Sequence, residues 1–244
     1  MSSCALVGAV GGAGTTRLTL ELAALLVRDG RDVAVLDAAY ATQGLADYVP
    51  RRIDPDITAL ALSEDPLADG LVDLDAGPGR LAVCPARAPF ERLARAKGPD
   101  AARRFERLVA EAEKTFDRVL VDTPPVAANQ SVAAVTAADR VVLVVPDSQR
   151  GCDALPRQRD RLADLGVSDP RTLFNWSSDP PADATAAVPT SDTTDPASAP
   201  VCATGGGTFP AAVALAAEEL LDVTPDIEFE DATLRERLAG FGSS

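Results

Sequence analysis

Ala5-Leu-Val-Gly8-Ala-Val10-Gly11-Gly12-Ala13-Gly14-Thr15-Thr16-Arg17 is the stretch that decides the fold. The apolar run Ala5–Val7 leads into Gly8, Gly11, Gly12 and Gly14, and an apolar pattern of helical period follows from Leu18 to Val27. Glycines between a buried strand and a helix N-terminus let backbone N–H groups converge on an anion, helped by the helix dipole. A phosphate-binding loop of this kind places a lysine immediately before its Ser/Thr, and here that position is Thr15. The backbone cradle is expected without its point charge, and any cleavage of a polyphosphate turns on that absence.

Outward from this stretch, short β-type runs alternate with helical patterns. Strands are expected at Ala5–Val7, Val33–Leu36, Leu81–Cys84, Arg118–Val121, Val141–Val145, Thr172–Phe174 and Pro200–Ala203. Helices are expected at about Thr16–Asp29, Ala101–Phe116, Asn129–Ala138, Asp153–Leu165 and Pro210–Leu221. This rhythm argues for βαβ units and a mainly parallel sheet, and several strands are apolar throughout, as when helices cover both faces. Residues 177–199 break the rhythm: Ser, Asp, Pro, Thr and Ala dominate, which reads as a mobile surface loop. One domain over residues 1–224 is followed by an acidic tail, 225–244, in which Thr233-Leu-Arg-Glu236 has the pattern of a short capped helix stopped by Gly240.

Composition narrows the classes of function. The chain has 244 residues, 46% hydrophobic, with 37 acidic against 23 basic residues and a net charge of −14. Of the acids 26 are Asp, only Lys97 and Lys114 are lysines, and histidine is absent, a balance resembling that of cytosolic proteins from extreme halophiles. At molar salt the Debye length falls to about 3 Å, which screens such self-repulsion. Direct nucleic-acid binding is disfavoured, because no basic patch stands out to replace phosphate counterions. Cys4, Cys84, Cys152 and Cys202 lack CxxC spacing, so four reduced core thiols are expected rather than a zinc site. No secretory pattern opens the chain and no apolar run reaches the ~20 residues that span a bilayer, so a cytoplasmic protein is expected.

Two functional readings of the glycine turn remain open on the residues alone. Gly8, Gly12 and Gly14 fit GxxxGxG, and Asp37 ends the second strand where a ribose-binding acid would sit, as in nicotinamide-dinucleotide oxidoreductases. That reading also needs Tyr-x-x-x-Lys, and neither Tyr40 nor Tyr48 has a lysine four residues on. The other reading draws on more of the chain. Gly11-Gly-Ala-Gly-Thr-Thr16 followed by Leu22-Ala-Ala resembles the deviant Walker A loop of the MinD/ParA ATPases. Phe116-Asp-Arg-Val-Leu-Val-Asp122-Thr-Pro-Pro125 is similar to their Walker B strand and the turn after it. Ala137-Ala-Asp-Arg-Val-Val-Leu-Val-Val-Pro146 and Thr172-Leu-Phe-Asn175 resemble two further strands of that family, in the same order. The segment Asp37 to Val49, with Gly44-Leu-Ala-Asp-Tyr48, is most similar to the CpaE/TadZ branch.

The resemblance implies a three-layer α/β/α P-loop fold, and ATP or ADP with Mg²⁺ as ligand. Gly11, Gly12, Ala13, Gly14, Thr15 and Thr16 would hold the phosphates, and Asn175 the adenine edge. Thr16 and Asp122 would hold Mg²⁺, and Asp37 is the candidate catalytic acid. On the residues alone, Asp122 as a cap of the Thr123-Pro124-Pro125 turn and Asn175 as a loop cap stay open. Arg17, in the first helical turn, reads as a helix-surface residue.

Three departures from the family pattern matter for activity. Its signature lysine, which reaches a partner's nucleotide across a dimer, falls at Val10; the P-loop lysine falls at Thr15; the second acid of D-x-D falls at Ala39. Phosphoryl transfer relies on positioning and charge neutralisation, so inefficient hydrolysis is expected. The resemblance implies a regulator or positioning factor for cell-division, partitioning or surface-appendage machinery, working through a protein partner and as a homodimer. An active ATPase and a nucleotide-independent scaffold are the alternatives. The stripe Leu234, Leu238 and Phe241 resembles a membrane-inserting tail helix, but Glu228, Glu230, Asp231 and Glu236 argue for a helix packed on its own domain or a frayed end.

Overall fold

Strands that are apolar on both faces must be covered from both sides. The computed structural model describes residues 2–227 and 229. Among these, eight strands form one sheet: β1 (Ser2–Gly8), β2 (Val33–Asp37), β3 (Val72–Leu74), β4 (Leu81–Cys84), β5 (Arg118–Thr123), β6 (Arg140–Pro146), β7 (Arg171–Asn175) and β8 (Ala186–Val188). Their order is β3-β4-β2-β5-β1-β6-β7-β8. All pairings are parallel except β3 with β4, which closes one edge antiparallel. The helices are α1 (Thr15–Arg28), α2 (Ile57–Leu60), α3 (Phe90–Ala96), α4 (Pro99–Glu113), α5 (Asn129–Ala137), α6 (Gln149–Asp164) and α7 (Thr208–Leu221).

Two apolar cores lie on opposite faces of the sheet. One joins α1 and α7 to Leu6, Val35 and Leu120; the other joins α3 to α6, through Leu93, Phe105, Ala134 and Leu155, to Val7, Leu36 and Val121. This is the three-layer α/β/α architecture expected from the sequence. Ligands of such sheets bind beyond the carboxyl ends of the strands, where strand order reverses. Here Asp37 pairs with Asp122, Val7 with Thr123, Gly8 with Val144, and Pro146 with Asn175. The register therefore brings the separated sequence motifs to one edge of the molecule.

Several expectations need correction. Pro200–Ala203 is not a strand: Val201–Ala203 is a 3-10 turn, because Pro200 has no N–H for a ladder and the next two N–H groups are taken by Glu21. The outermost strand is instead β8, inside the segment read as a surface loop, paired with β7. Of the four cysteines, Cys152 is exposed and only Cys4, Cys84 and Cys202 are core thiols; burial pushes the Cys4 thiol up to about 12. The expected helix at Thr233–Glu236 and the stripe Leu234, Leu238 and Phe241 lie outside the described residues.

Candidate nucleotide site

The glycine turn leaves β1 still on the sheet, with the Ala9 N–H donating to the Val144 carbonyl at 2.8 Å. It closes into α1 through Gly12 and Gly14, both at φ +79°. At Gly14 that left-handed conformation and the lack of space exclude a side chain: a Cβ would lie 2.3 Å from Asn175 Nδ2 and 3.1 Å from Trp176 Cζ2. Around Gly11 and Gly12 a Cβ would meet nothing within 4 Å, so the turn is walled at one end and open at the other. Gly14 caps α1 with no side-chain hydrogen bond to its first turn. Those leading N–H groups need a partner from outside the helix, which is what makes a helix N-terminus an anion site.

Behind the turn stand three oxygen-bearing side chains. The Thr16 hydroxyl donates to Asp122 Oδ2 at 2.6 Å, joining α1 to β5. Asp37, its ladder neighbour on β2, accepts from the Ala39 N–H at 2.7 Å and the Ala86 N–H at 3.0 Å. Both carboxylates are buried. Burial, and then the neighbouring Asp122 charge, push the Asp37 carboxyl up to about 8. Burial also raises Asp122, to about 6, against the opposing effect of the Thr16 hydroxyl. Two neighbouring buried carboxylates with no cationic partner among the described residues form a site that a divalent cation would relieve. Mg²⁺ takes oxygen ligands and commonly binds through one or two carboxylates plus phosphate and water. Thr16 and Asp122 fit that donor set. Among the described residues no group of three or more His, Cys, Asp or Glu is placed to hold a metal, so the phosphates of a ligand would have to complete the shell.

The other sequence candidates fall into place unevenly. Thr15, at the lysine position, lies with its Oγ1 2.9 Å from where a Cβ on Gly8 would be, so its hydroxyl packs against the end of β1. Arg17 donates to Glu21 Oε1 at 2.6 Å. It is an arginine fixed into the flank of α1 and does not replace the missing lysine at the turn. Asn175 is buried, its Nδ2 donating to the Ala13 carbonyl at 2.9 Å and its Oδ1 accepting the Trp176 N–H at 3.0 Å. Its visible role is to brace the turn. Asp37, the candidate catalytic acid, holds two loop amides with its two oxygens.

Sequence reading missed two contributors. Glu21 is completely buried in the apolar face of α1 and accepts hydrogen bonds from Arg17, Val201 and Cys202; a lone acid within Leu18-Thr-Leu-Glu-Leu-Ala-Ala-Leu25 was the available signal. Trp176, at φ +63° and 46% exposed, lies beside Gly14. Nothing in its sequence context announces that placement.

Comparison with known proteins follows this geometry. No protein-family profile matches the chain. It is 27% identical, over 153 residues, to an uncharacterized ATP-binding protein of Methanocaldococcus jannaschii. That match covers 62% of this chain and 55% of the relative, so it spans little more than half the relative's length. Among solved structures, the MinD cell division protein of Aquifex aeolicus superposes with a TM-score of 0.75 at 18% identity, over 94% of this chain and 100% of that one. The cell division ATPase MinD of Pyrococcus furiosus superposes at 0.65 with 17% identity, over 99% and 97%. MinD of Pyrococcus horikoshii, solved with Mg-ADP, also reaches 0.65, with 18% identity over 77% of this chain and 81% of that one. The chain thus has the P-loop fold of MinD-type ATPases.

Proposed function

We propose that the glycine turn binds ATP or ADP with Mg²⁺ through main-chain amides, and that the chain is a MinD/ParA-like regulator or positioning factor with a poor catalytic site. The observation that carries this reading is the 2.6 Å hydrogen bond from Thr16 to Asp122 behind a turn open at Gly11 and Gly12. Two oxygen donors side by side, next to main-chain amides at a helix N-terminus, support a P-loop magnesium site. On this reading Gly11 to Thr16 bind and orient the phosphates, and Thr16 and Asp122 would hold Mg²⁺, which would supply charge neutralisation when bound. Thr15 in place of lysine leaves that neutralisation incomplete, and Ala39 in place of the second acid offers no carboxylate to orient water. Each 1.36 kcal/mol of lost transition-state stabilisation is tenfold in rate, so losing these groups favours occupancy over turnover. Action through a protein partner, and as a homodimer, is supported by the fold shared with MinD, one structure of which is a MinC:MinD complex.

Phosphate release from ATP–Mg²⁺ tests the catalytic half. The expected rate is no higher than that of the Thr16→Ala, Asp122→Ala double variant. A rate well above that background would make the chain an active ATPase.

A further inference from the structure

A cavity of about 220 Å³ lies against the start of the glycine turn, walled by Val10, Pro125 and one side of α6. Arg150, Arg157 and Arg161 all line it; spaced by seven and four residues, they share one face of the helix. Arg161 donates to the Val126 carbonyl at 2.9 Å, whereas Arg150 and Arg157 have no hydrogen-bond or ion-pair partner among the described residues. That contrasts with Arg159 of the same helix, paired with Asp183, and with Arg107, paired with Glu64. Three arginines of a chain with 37 acids thus converge on one cavity. The nearest acids in sequence, Asp147, Asp153 and Asp160, do not line the cavity, and Asp153 is bonded by Gln149.

The cavity also holds an unpartnered buried amide. Gln158 is 5% exposed and lines the same space. Its Nε2 has no hydrogen-bond partner among the described residues, and amide N–H groups of that kind donate to phosphate oxygens. Guanidinium forks match phosphate oxygens in pairs, and Val10 joins this cavity directly to Gly11 of the turn.

We propose that this cavity is a phosphate-binding site continuous with the glycine turn. Arg150 and Arg157 supply the positive charge that the turn lacks, and Gln158 hydrogen-bonds the same group. The phosphate is either the terminal one of a nucleotide held by the turn, which rests on the function proposed above, or that of a separate phosphate-bearing ligand.

Calorimetric titration with ATP–Mg²⁺, ADP–Mg²⁺ and pyrophosphate decides between these sources, using the full chain, R150Q/R157Q and T16A. Arg161 is left in place because it holds Val126, and cooperative urea unfolding confirms that each variant is folded. For the nucleotide source, R150Q/R157Q weakens ATP by about tenfold or more and ADP by less than about threefold, since only the third phosphate reaches the arginines. For the separate ligand, pyrophosphate binding survives T16A and is lost in R150Q/R157Q. ATP and ADP weakened equally or not at all, with pyrophosphate binding unchanged or absent, overturns the proposal. Loss of nucleotide in T16A alone would then leave the function proposed above standing. If the unaltered chain binds no nucleotide, that function falls, and loss of pyrophosphate binding in R150Q/R157Q still supports the cavity.

Discussion

At the scale of single residues, Thr16, Asp37 and Asp122 form the polar cluster behind the glycine turn, and its cost is electrostatic. Asp37 has an ordinary value of 3.8 when unfolded and is pushed up to about 8 in the fold. The native state therefore holds a proton that the unfolded chain gives up, and this contribution to stability is complete below pH 4 and lost as pH rises through 8. The chain has no histidine, so few other groups change charge in the upper part of that window. Unfolding free energy from urea titrations is expected to fall by about 2 kcal/mol between pH 6 and 8. The Asp37→Asn variant should show a much flatter slope. A stability that is level or rising over that range in the unaltered chain would contradict the burial argument. Saturating Mg²⁺ and nucleotide, by occupying Asp122, should shift the loss to a different pH.

At the scale of elements, α1 matters more than its length suggests. It carries the open end of the turn and packs against the sheet and α7, and through Glu21 it fixes the 3-10 turn Val201–Ala203. Removing one partner of a buried charged network costs about 3–5 kcal/mol, so Glu21→Ala is expected to lower unfolding free energy by about 3 kcal/mol. A change below about 1 kcal/mol would show that Glu21 does not hold that turn. The same elements show how much was legible. The six strands β1, β2, β4, β5, β6 and β7 contain short β-type runs, several of them apolar throughout, that could be read directly, and so could α1. The glycine turn, Thr16 and Asp122 followed from motif spacing. β8 was illegible because three residues, Ala-Ala-Val, become a strand only by pairing with β7. The helical pattern of α6 is legible in the sequence only from about Asp153. It begins at Gln149 instead, because Ser148 caps it by accepting the Gly151 N–H. The absence of a Cβ on Gly151 also lets the helix approach the Pro146 carbonyl, where a Cβ would lie only 2.2 Å away. Such long-range fits have no local sequence signal.

At the scale of the whole molecule, a strongly acidic chain carries a glycine turn at a helix N-terminus, with Arg17 committed to Glu21 and no lysine in the loop. Net charge of −14 opposes the approach of a polyphosphate, so main-chain amides, the α1 N-terminus and a divalent cation must offset it locally. Concentrated KCl screens the long-range repulsion and leaves those short contacts in place. Calorimetric titration of the full chain with ATP–Mg²⁺ in molar KCl tests this most directly. Saturable binding that disappears in Thr16→Ala is the expected result. Absence of binding in the unaltered chain, or binding indifferent to Thr16→Ala, would contradict a cradle of amides that holds nucleotide without its lysine.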